Sequence, residues 1–190
     1  MKILLLRHGE TVEGAQGILL GSIGGTLSDK GKAQAETMAE GILRSGFRPD
    51  RIVSSPLDRA TDTSEIISKK MNLPVEINND VSERRAGEIE GKRDEEIDWT
   101  EYERQPFEWR KHKGGESYEG VKIRVEKFLN NLEGRDFILV THSALIRILI
   151  SIFLGISVEE TSDVVKGVDF RGRTFVLDTE TKKMETIDLK

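Results

Sequence analysis

Short apolar runs alternate with amphipathic segments along this chain, and that alternation predicts its secondary structure. Continuous runs of Ile, Leu, Val and Phe between polar residues are typical of strands that are buried on both faces. Such runs predict strands over residues 2–7, 51–54, 75–77 and 137–141. Two later runs, over residues 173–178 and 184–189, predict a closing hairpin.

Helical periodicity and capping residues predict four helices between these strands. Ser28 suits the cap of the first helix and Gly46 its end, and Pro56 suits the first turn of the second. The last helix is apolar around nearly its whole circumference, which predicts that it is buried. The predicted helices cover about residues 29–45, 56–71, 118–132 and 144–154.

The order of these elements predicts an α/β fold. Strands that alternate with helices form a mainly parallel sheet with helices on both faces, a three-layer α/β/α arrangement, and the terminal hairpin adds an antiparallel edge. We expect one domain over residues 1–190, with a polar and aromatic excursion over about 84–115. Trp99 and Trp109 in this excursion suit a lid over the sheet, with a structural cap and a homodimer contact as alternatives.

Composition narrows the classes of function. The 190 residues include no cysteine, which excludes disulfides, thiolate metal sites and a cysteine nucleophile. The 29 basic and 34 acidic residues give a net charge of −5, which argues against nucleic-acid binding. The apolar start is too short for a signal peptide, and the run over 138–154 contains His142 and Arg147 and is too short to span a membrane. We therefore expect a cytoplasmic protein with no nucleic-acid or membrane partner.

Side chains with useful chemistry stand where the predicted strands end. In chain order they are Arg7 and His8, Arg59, Glu83 and His142. Because ligand sites of open α/β sheets lie at the carboxyl ends of the strands, these residues are predicted to share one pocket. Taken singly, each also fits a commoner role, namely an ordinary turn, a surface arginine, an ion pair or a core histidine. The third histidine, His112, lies in a lysine-rich stretch and is expected to be solvated.

Five motifs together carry a resemblance to a known family. They are Arg7-His8-Gly9-Glu10-Thr11, Ser54-Ser55-Pro56-Leu57-Asp58-Arg59-Ala60, Glu83 with Gly87-Glu88-Ile89-Glu90-Gly91, Gly114-Gly115-Glu116-Ser117, and Thr141-His142. In this order, and over about residues 1–155, they resemble the histidine phosphatase superfamily, which is also called the phosphoglycerate-mutase-like family. The resemblance implies the fold of that family and phosphoryl transfer without a metal or another cofactor.

The resemblance also implies a role for each residue. His8 is the nucleophile that becomes phosphorylated, Glu83 is the proton donor, and the phosphoryl oxygens are bound by Arg7, Arg59 and His142. Ser143 and Ala144 replace the more familiar Gly-Gly of the family, and the backbone N–H of Ser143 is expected to bind the phosphoryl group as well. Physical chemistry supports these roles. A neutral imidazole meets no charge repulsion from a phosphate, nearby guanidiniums keep it neutral, and they stabilise the transferring group. A carboxyl beside a phosphate dianion has a raised pKa and holds a proton for the leaving alcohol.

The chain departs from the family pattern at the rim of the expected pocket. Close to Thr11, residues Gly14, Ile18 and Leu20 stand where the family commonly has Asn, Arg and Gln. The rim is therefore expected to be less polar than in relatives that bind phosphosugar acids. This composition favours a small phosphorylated substrate with a less polar leaving group.

Three functions remain in competition at this point. The resemblance implies that mutases of the family usually carry a longer insertion after the glutamate, and the segment over 84–113 is short, which favours a phosphatase. A cofactor-primed phosphoglycerate mutase is the first alternative. A catalytically weak phospho-ligand-binding module is the second, although such a module is expected to lack the nucleophile or the acid, and this chain keeps both.

Overall fold

One six-stranded sheet organises the chain in the computed structural model, which describes residues 1–190. The strands are β1 (Lys2–Arg7), β2 (Arg51–Ser54), β3 (Val75–Ile77), β4 (Phe137–Thr141), β5 (Arg173–Asp178) and β6 (Lys183–Asp188). Their spatial order is β3-β2-β4-β1-β5-β6, with the first four mutually parallel. The hairpin of β5 and β6 adds to β1 in the antiparallel sense, as predicted.

Seven α-helices accompany the sheet. They are α1 (Val12–Ala15), α2 (Asp29–Ser45), α3 (Asp58–Met71), α4 (Thr100–Arg104), α5 (Tyr118–Asn130), α6 (Ser143–Leu154) and α7 (Thr161–Val164). Among them there is none whose length and hydropathy would let it traverse a membrane. The predicted α/β architecture is confirmed, and the element boundaries differ by a few residues.

The two faces of the sheet form separate hydrophobic cores. Ile3 and Leu5 of β1 pack with α5 and α6, whereas Leu4 and Leu6 pack with α2 and α3. Successive side chains of a strand point to opposite faces, so a strand covered on both sides must be apolar at every position. Strand β4 lies at the centre and is buried at all its residues. The three-layer arrangement thus follows from the continuous apolar runs.

One predicted helix start is wrong by two residues. Leu57 keeps an extended backbone, with φ −74° and ψ 133°, so α3 begins at Asp58 and Pro56 precedes the helix. Ser55 therefore lies in the loop between β2 and α3, and its side chain contacts His142, the residue that follows β4. Arg59 nevertheless lies in the first turn of α3, as the sequence indicates.

The excursion over 84–115 folds into α4 and several 3-10 turns. The expectation that His112 is solvated holds only in part, because the residue is half-buried: its ring stacks on Tyr102 with a centroid separation of 4.8 Å and meets the edge of Trp99 at 5.4 Å. Aromatic neighbours from the same segment cover a polar ring that the surrounding lysines had suggested was exposed. Trp109, in contrast, is 61% exposed.

Two glycines let the loop after β1 touch the start of α2. A Cβ added at Gly31 would overlap the backbone carbonyl of Glu10, and one added at Gly9 would overlap the carbonyl of Gly31. The contact is strengthened by the N–H of Ser28, which donates to the carbonyl of Glu10 at 2.9 Å. Helix α2 therefore supports the backbone immediately after His8.

This contact predicts opposite effects of two glycine substitutions. Gly31 and Gly120 occupy the same position in their helices, and each donates its N–H to the serine that caps the helix. Gly31→Ala should destabilise the fold by about 1 to 3 kcal/mol, because the new methyl group meets backbone. Gly120→Ala should stabilise it by about 0.5 to 1 kcal/mol, because its methyl group meets only Ser117 Oγ, at 3.4 Å. Urea unfolding of both variants checks the prediction, and two changes of the same sign would contradict it.

Candidate active site

The chemically active side chains predicted from the sequence meet at one edge of the sheet. Arg7 ends β1 beside Thr141 of β4, and Ser54 of β2 lies beside Val140 of β4. The three parallel strands therefore end together, and the residues that follow them converge. The structure brings together Arg7, His8, Arg59, Glu83 and His142, as the sequence predicted.

Both nitrogens of the His8 ring have defined partners. Nδ1 lies 2.7 Å from the carbonyl oxygen of Gly9, and Nε2 lies 3.3 Å from Nε of Arg59. A carbonyl only accepts and a guanidinium only donates, so Nδ1 carries the hydrogen and Nε2 carries the lone pair. Burial, and then the charges of Arg59 and Arg7, hold the pKa of His8 well below its ordinary value of 6.5. His8 is therefore a neutral imidazole with Nε2 as its basic atom.

Arg59 is fully buried and connects His8 with the rim of the site. Its two terminal nitrogens donate to the carbonyl of Ile23 at 2.7 Å and to that of Gly21 at 2.6 Å. The sequence points to an anion-binding arginine at this place, but it gives no sign of these two backbone contacts. Burial, more than any charge, lowers the pKa of Arg59. The same guanidinium thus faces the imidazole and holds the Gly21–Ile23 segment.

Glu83 holds a proton more tightly than an ordinary glutamate. Burial raises its pKa, and this effect outweighs the hydrogen bond from the backbone N–H of Arg84, at 2.8 Å, and the charges of Arg59 and Arg7. The alternative that Glu83 forms an ion pair with the next arginine is wrong. The Arg84 guanidinium donates instead to the carbonyl of Glu116 and lies over the Tyr118 ring, 4.6 Å from its centroid.

His142 and Ser143 follow β4 and lie next to the cavity, outside its lining. The ring of His142 is fully buried, its centroid is 5.1 Å from that of His8, and its Nε2 lies 2.7 Å from Oγ of Ser55. Its Nδ1 is buried and has no hydrogen-bond partner. Burial and the proximity of His8 hold the pKa of His142 well below 6.5. Ser143 begins α6, and a helix N-terminus offers unpaired backbone N–H groups to an anion.

Arg7, His8, Arg59 and Glu83 line a cavity of about 370 Å³, whose lining does not include His142 or Ser143. Its walls include all four expected rim residues, namely Thr11, Gly14, Ile18 and Leu20. Thr11 also has a structural task, because its Oγ1 accepts the N–H of Gly14 at 3.0 Å and caps α1. The excursion contributes Asp94, which no sequence pattern indicated. Residues 18–20 pair with the excursion, since the N–H of Leu19 donates to the carbonyl of Lys92 at 2.9 Å.

Fold and site together define the class of protein. The sequence profile of the histidine phosphatase superfamily (branch 1) matches residues 3–168. The chain belongs to this superfamily, and the expectation that it is an enzyme of the histidine phosphatase type is confirmed.

Individual relatives include both phosphatases and mutases. A glucosyl-3-phosphoglycerate phosphatase of Mycolicibacterium vanbaalenii is 30% identical over 178 residues, which cover 83% of this chain and 76% of that one. A 2,3-bisphosphoglycerate-dependent phosphoglycerate mutase of Thermoplasma acidophilum is 33% identical over 170 residues, or 85% and 80% of the two chains. The α-ribazole phosphatase of Shigella flexneri has the same fold, with a TM-score of 0.79 over 99% of this chain and 96% of that one, at 22% identity.

The raised pKa of Glu83 predicts how a substitution changes stability with pH. Above the ordinary pKa of 4.5 the unfolded chain releases this proton more readily than the folded protein, so the wild type loses stability as pH rises. Glu83→Gln keeps an acceptor for the N–H of Arg84 and carries no charge. The variant should therefore exceed the wild type in melting temperature at neutral pH, and the difference should shrink as pH falls toward 4.5.

Thermal unfolding from about pH 4 to about pH 8 measures this difference. Glu159→Gln, at an exposed position, is the matched control and should show no comparable pH-dependent gain. A Glu83→Gln variant that is less stable than the wild type at neutral pH would contradict the prediction.

Proposed function

We propose that this protein is a metal-independent phosphomonoester hydrolase that acts through a phosphohistidine on His8. The observation that carries the proposal is the neutral imidazole, whose Nε2 lies beside Arg59 in a cavity that Glu83 also lines. The proposed nucleophile thus shares one cavity with a carboxyl whose pKa is raised by burial. The chain offers no cluster of three or more His, Cys, Asp or Glu side chains that could hold a metal ion. Positive charge at the phosphate is supplied instead by guanidiniums.

In the first step Nε2 of His8 attacks phosphorus and the bond to the leaving oxygen breaks. Glu83 gives its proton to that oxygen, so the product leaves as an alcohol and Glu83 becomes a carboxylate. Arg7 and Arg59 stabilise the charge on the three equatorial oxygens. His142 and the N–H of Ser143 bind the phosphoryl group from the end of β4.

In the second step a water molecule attacks the phosphohistidine. The Glu83 carboxylate takes a proton from this water as its oxygen bonds to phosphorus, and the bond from phosphorus to Nε2 breaks. Phosphate leaves, His8 is neutral again and Glu83 is protonated. The two steps therefore return both groups to the protonation states in which they began, without another proton donor.

Arg59 has a particular part in this cycle. At rest its Nε donates to the lone pair of His8 Nε2. When that lone pair forms a bond to phosphorus it no longer accepts the hydrogen bond, and the nearest acceptors are the phosphoryl oxygens. The donor released from the imidazole is then available to the transferring group, where charge is redistributed during the reaction.

The rim favours hydrolysis of an ester with a weakly polar leaving group. Ile18, Leu20 and three glycines, Gly14, Gly17 and Gly21, form most of the wall beyond the phosphate residues. None of them carries a charge that would bind the carboxylate of a phosphosugar acid. Relatives named as phosphatases support hydrolysis, and the relative named as a mutase keeps phosphoryl transfer between phosphoglycerates as the second candidate.

His8→Ala should abolish the hydrolysis of p-nitrophenyl phosphate. Loss of the nucleophile is expected to lower kcat on the order of 10³-fold or more, because no other group is placed to form the intermediate. Phosphate release at neutral and mildly acid pH measures the effect, and a chelator should leave the wild-type rate unchanged. His112→Asn, at the histidine of the excursion, is the control and should retain activity. Full activity in His8→Ala would end the phosphohistidine mechanism.

The mutase alternative predicts a different product. With phosphoglycerate as substrate and bisphosphoglycerate as primer, we expect interconversion of the two phosphoglycerates to be slower than hydrolysis of p-nitrophenyl phosphate. The reason is the rim, which carries no positive charge that would bind a second phosphate or a carboxylate. Separation of the two isomers over time measures the rate. Interconversion far faster than hydrolysis would overturn the choice of a phosphatase.

A further inference from the structure

Arg171 lies outside every motif of the sequence and contacts the nucleophile's own backbone. Its Nε donates to the carbonyl oxygen of His8 at 2.8 Å, across 163 positions of the chain. The side chain is half-buried, and burial, followed by the charge of Arg7, lowers its pKa to about 10. Arg171 does not line the cavity, so its influence on the reaction passes through His8.

The loop that presents Arg171 is tightly built. Oδ1 of Asp169 accepts the backbone N–H groups of Arg171, Gly172 and Arg173 at 3.1, 2.8 and 2.9 Å. These bonds lower the pKa of Asp169 to about 2, although burial acts in the opposite direction. The carboxylate therefore stays ionised at neutral and mildly acid pH, and it fixes the turn from which Arg171 extends.

Phe170 in the same loop has a strained backbone. Its φ of 56° lies in the left-handed region, which a bulky side chain rarely adopts without support from its surroundings. That support is present, because its N–H donates to the carbonyl of Arg173 and its carbonyl accepts the N–H of Arg7, both at 2.9 Å. The ring is buried and packs on Phe175. The loop is thus bonded directly to the strand end that carries the site.

The contact with Arg171 completes the restraint of the peptide group after His8. The N–H of His8 donates to the carbonyl of Thr141 at 3.0 Å, and the N–H of Gly9 donates to Oγ1 of Thr63 at 3.0 Å. The carbonyl of His8 lies between these two bonds, and Arg171 is its partner. Since the Gly9 carbonyl orients the imidazole through Nδ1, the direction of Nε2 depends on how firmly this backbone is held.

We propose that Arg171 is a positioning residue, which fixes the backbone of His8 through its hydrogen bond to the His8 carbonyl and places a third guanidinium near the ring. The inference rests on the proposed role of His8 as nucleophile. The titratable and charged groups around His8 are Arg7 on β1, Arg59 on α3, Glu83 after β3, His142 before α6 and Arg171 before β5. Removal of one of three positive charges should raise the pKa of His8.

Two variants separate the charge of Arg171 from its hydrogen bond, and a third is the control. Arg171→Met removes both, Arg171→Lys keeps the charge, and Arg173→Met changes an exposed arginine of the same loop. For p-nitrophenyl phosphate we expect Arg171→Met to lower kcat about 10- to 100-fold with little change in KM, since the phosphate contacts remain. The acid limb of its kcat/KM profile should move to higher pH, because His8 becomes protonated more readily. Arg171→Lys should leave that limb in place, and Arg173→Met should resemble the wild type.

A ¹⁵N NMR titration of the His8 ring tests the inference without relying on turnover. In the wild type and in Arg173→Met we expect the Nδ1–H tautomer, with protonation well below pH 6.5. In Arg171→Met we expect protonation at higher pH and a mixture of tautomers. If the wild type hydrolysed nothing, the proposed function would fail, yet these spectra would still decide the role of Arg171.

Three outcomes would overturn the proposal. The first is an Arg171→Met variant with the kcat, the acid limb and the His8 spectrum of Arg173→Met. The second is a rise in KM without a fall in kcat, which would make Arg171 a substrate-binding residue. The third outcome concerns Arg171→Lys, which replaces Arg171→Met as the test if Arg171→Met does not fold. A shift of its acid limb to higher pH, despite the retained charge, would contradict the electrostatic part.

Discussion

The hydrogen bond from Nδ1 of His8 to the carbonyl of Gly9 is the interaction on which the rest of the site depends. It places the ring hydrogen on Nδ1 and leaves the lone pair of Nε2 facing Arg59. The Gly9 carbonyl can orient the ring only if the backbone of residues 8 and 9 is held in place, and several contacts provide this restraint. The glycine contact with α2, the Thr63 hydroxyl and the Arg171 guanidinium all restrain the backbone of residues 8 and 9. By restraining the backbone of residues 8 and 9, the fold thus determines which nitrogen of the His8 ring carries the hydrogen.

Burial shifts the pKa values of His8 and Glu83 in opposite directions. In water a histidine holds its proton more tightly than a glutamate, so at mildly acid pH the imidazole is charged and the carboxyl is ionised. Here burial lowers the pKa of His8 and raises that of Glu83, and the guanidiniums reinforce the first change and only partly oppose the second. The proton therefore shifts toward the carboxyl. The proposed nucleophile and the proposed acid thus share one cavity, and their pKa values are shifted in the opposite directions that these roles require.

The parts of this site that the sequence predicted are those set by short-range pattern. Continuous apolar runs define the parallel strands, and the residues just after them must share an edge, so Arg7, His8 and His142 follow from the pattern. What could not be predicted depends on contacts between distant segments. The Arg59 guanidinium binds two backbone carbonyls of a loop. Because every residue has a backbone carbonyl, the sequence does not show which ones a side chain will bind. The partial burial of His112 could not be predicted, because it depends on aromatic rings of the excursion that pack against it. Arg171 follows a turn whose strain and hydrogen bonds no local pattern encodes.

In the proposed mechanism, phosphate binding and the choice of leaving group are physically linked through Arg59. Arg59 holds the carbonyls of Gly21 and Ile23 while it faces His8, and the adjacent segment over 18–20 pairs with the excursion through Leu19. A change in the rim therefore acts on the reaction in two ways: directly, through contact with the leaving group, and indirectly, through the position of the guanidinium. Because a misplacement of about 1 Å can cost a large part of the rate, the indirect effect need not be the smaller one. Variation of the rim is therefore constrained by Arg59, which holds the rim and which the proposed mechanism assigns to the phosphate.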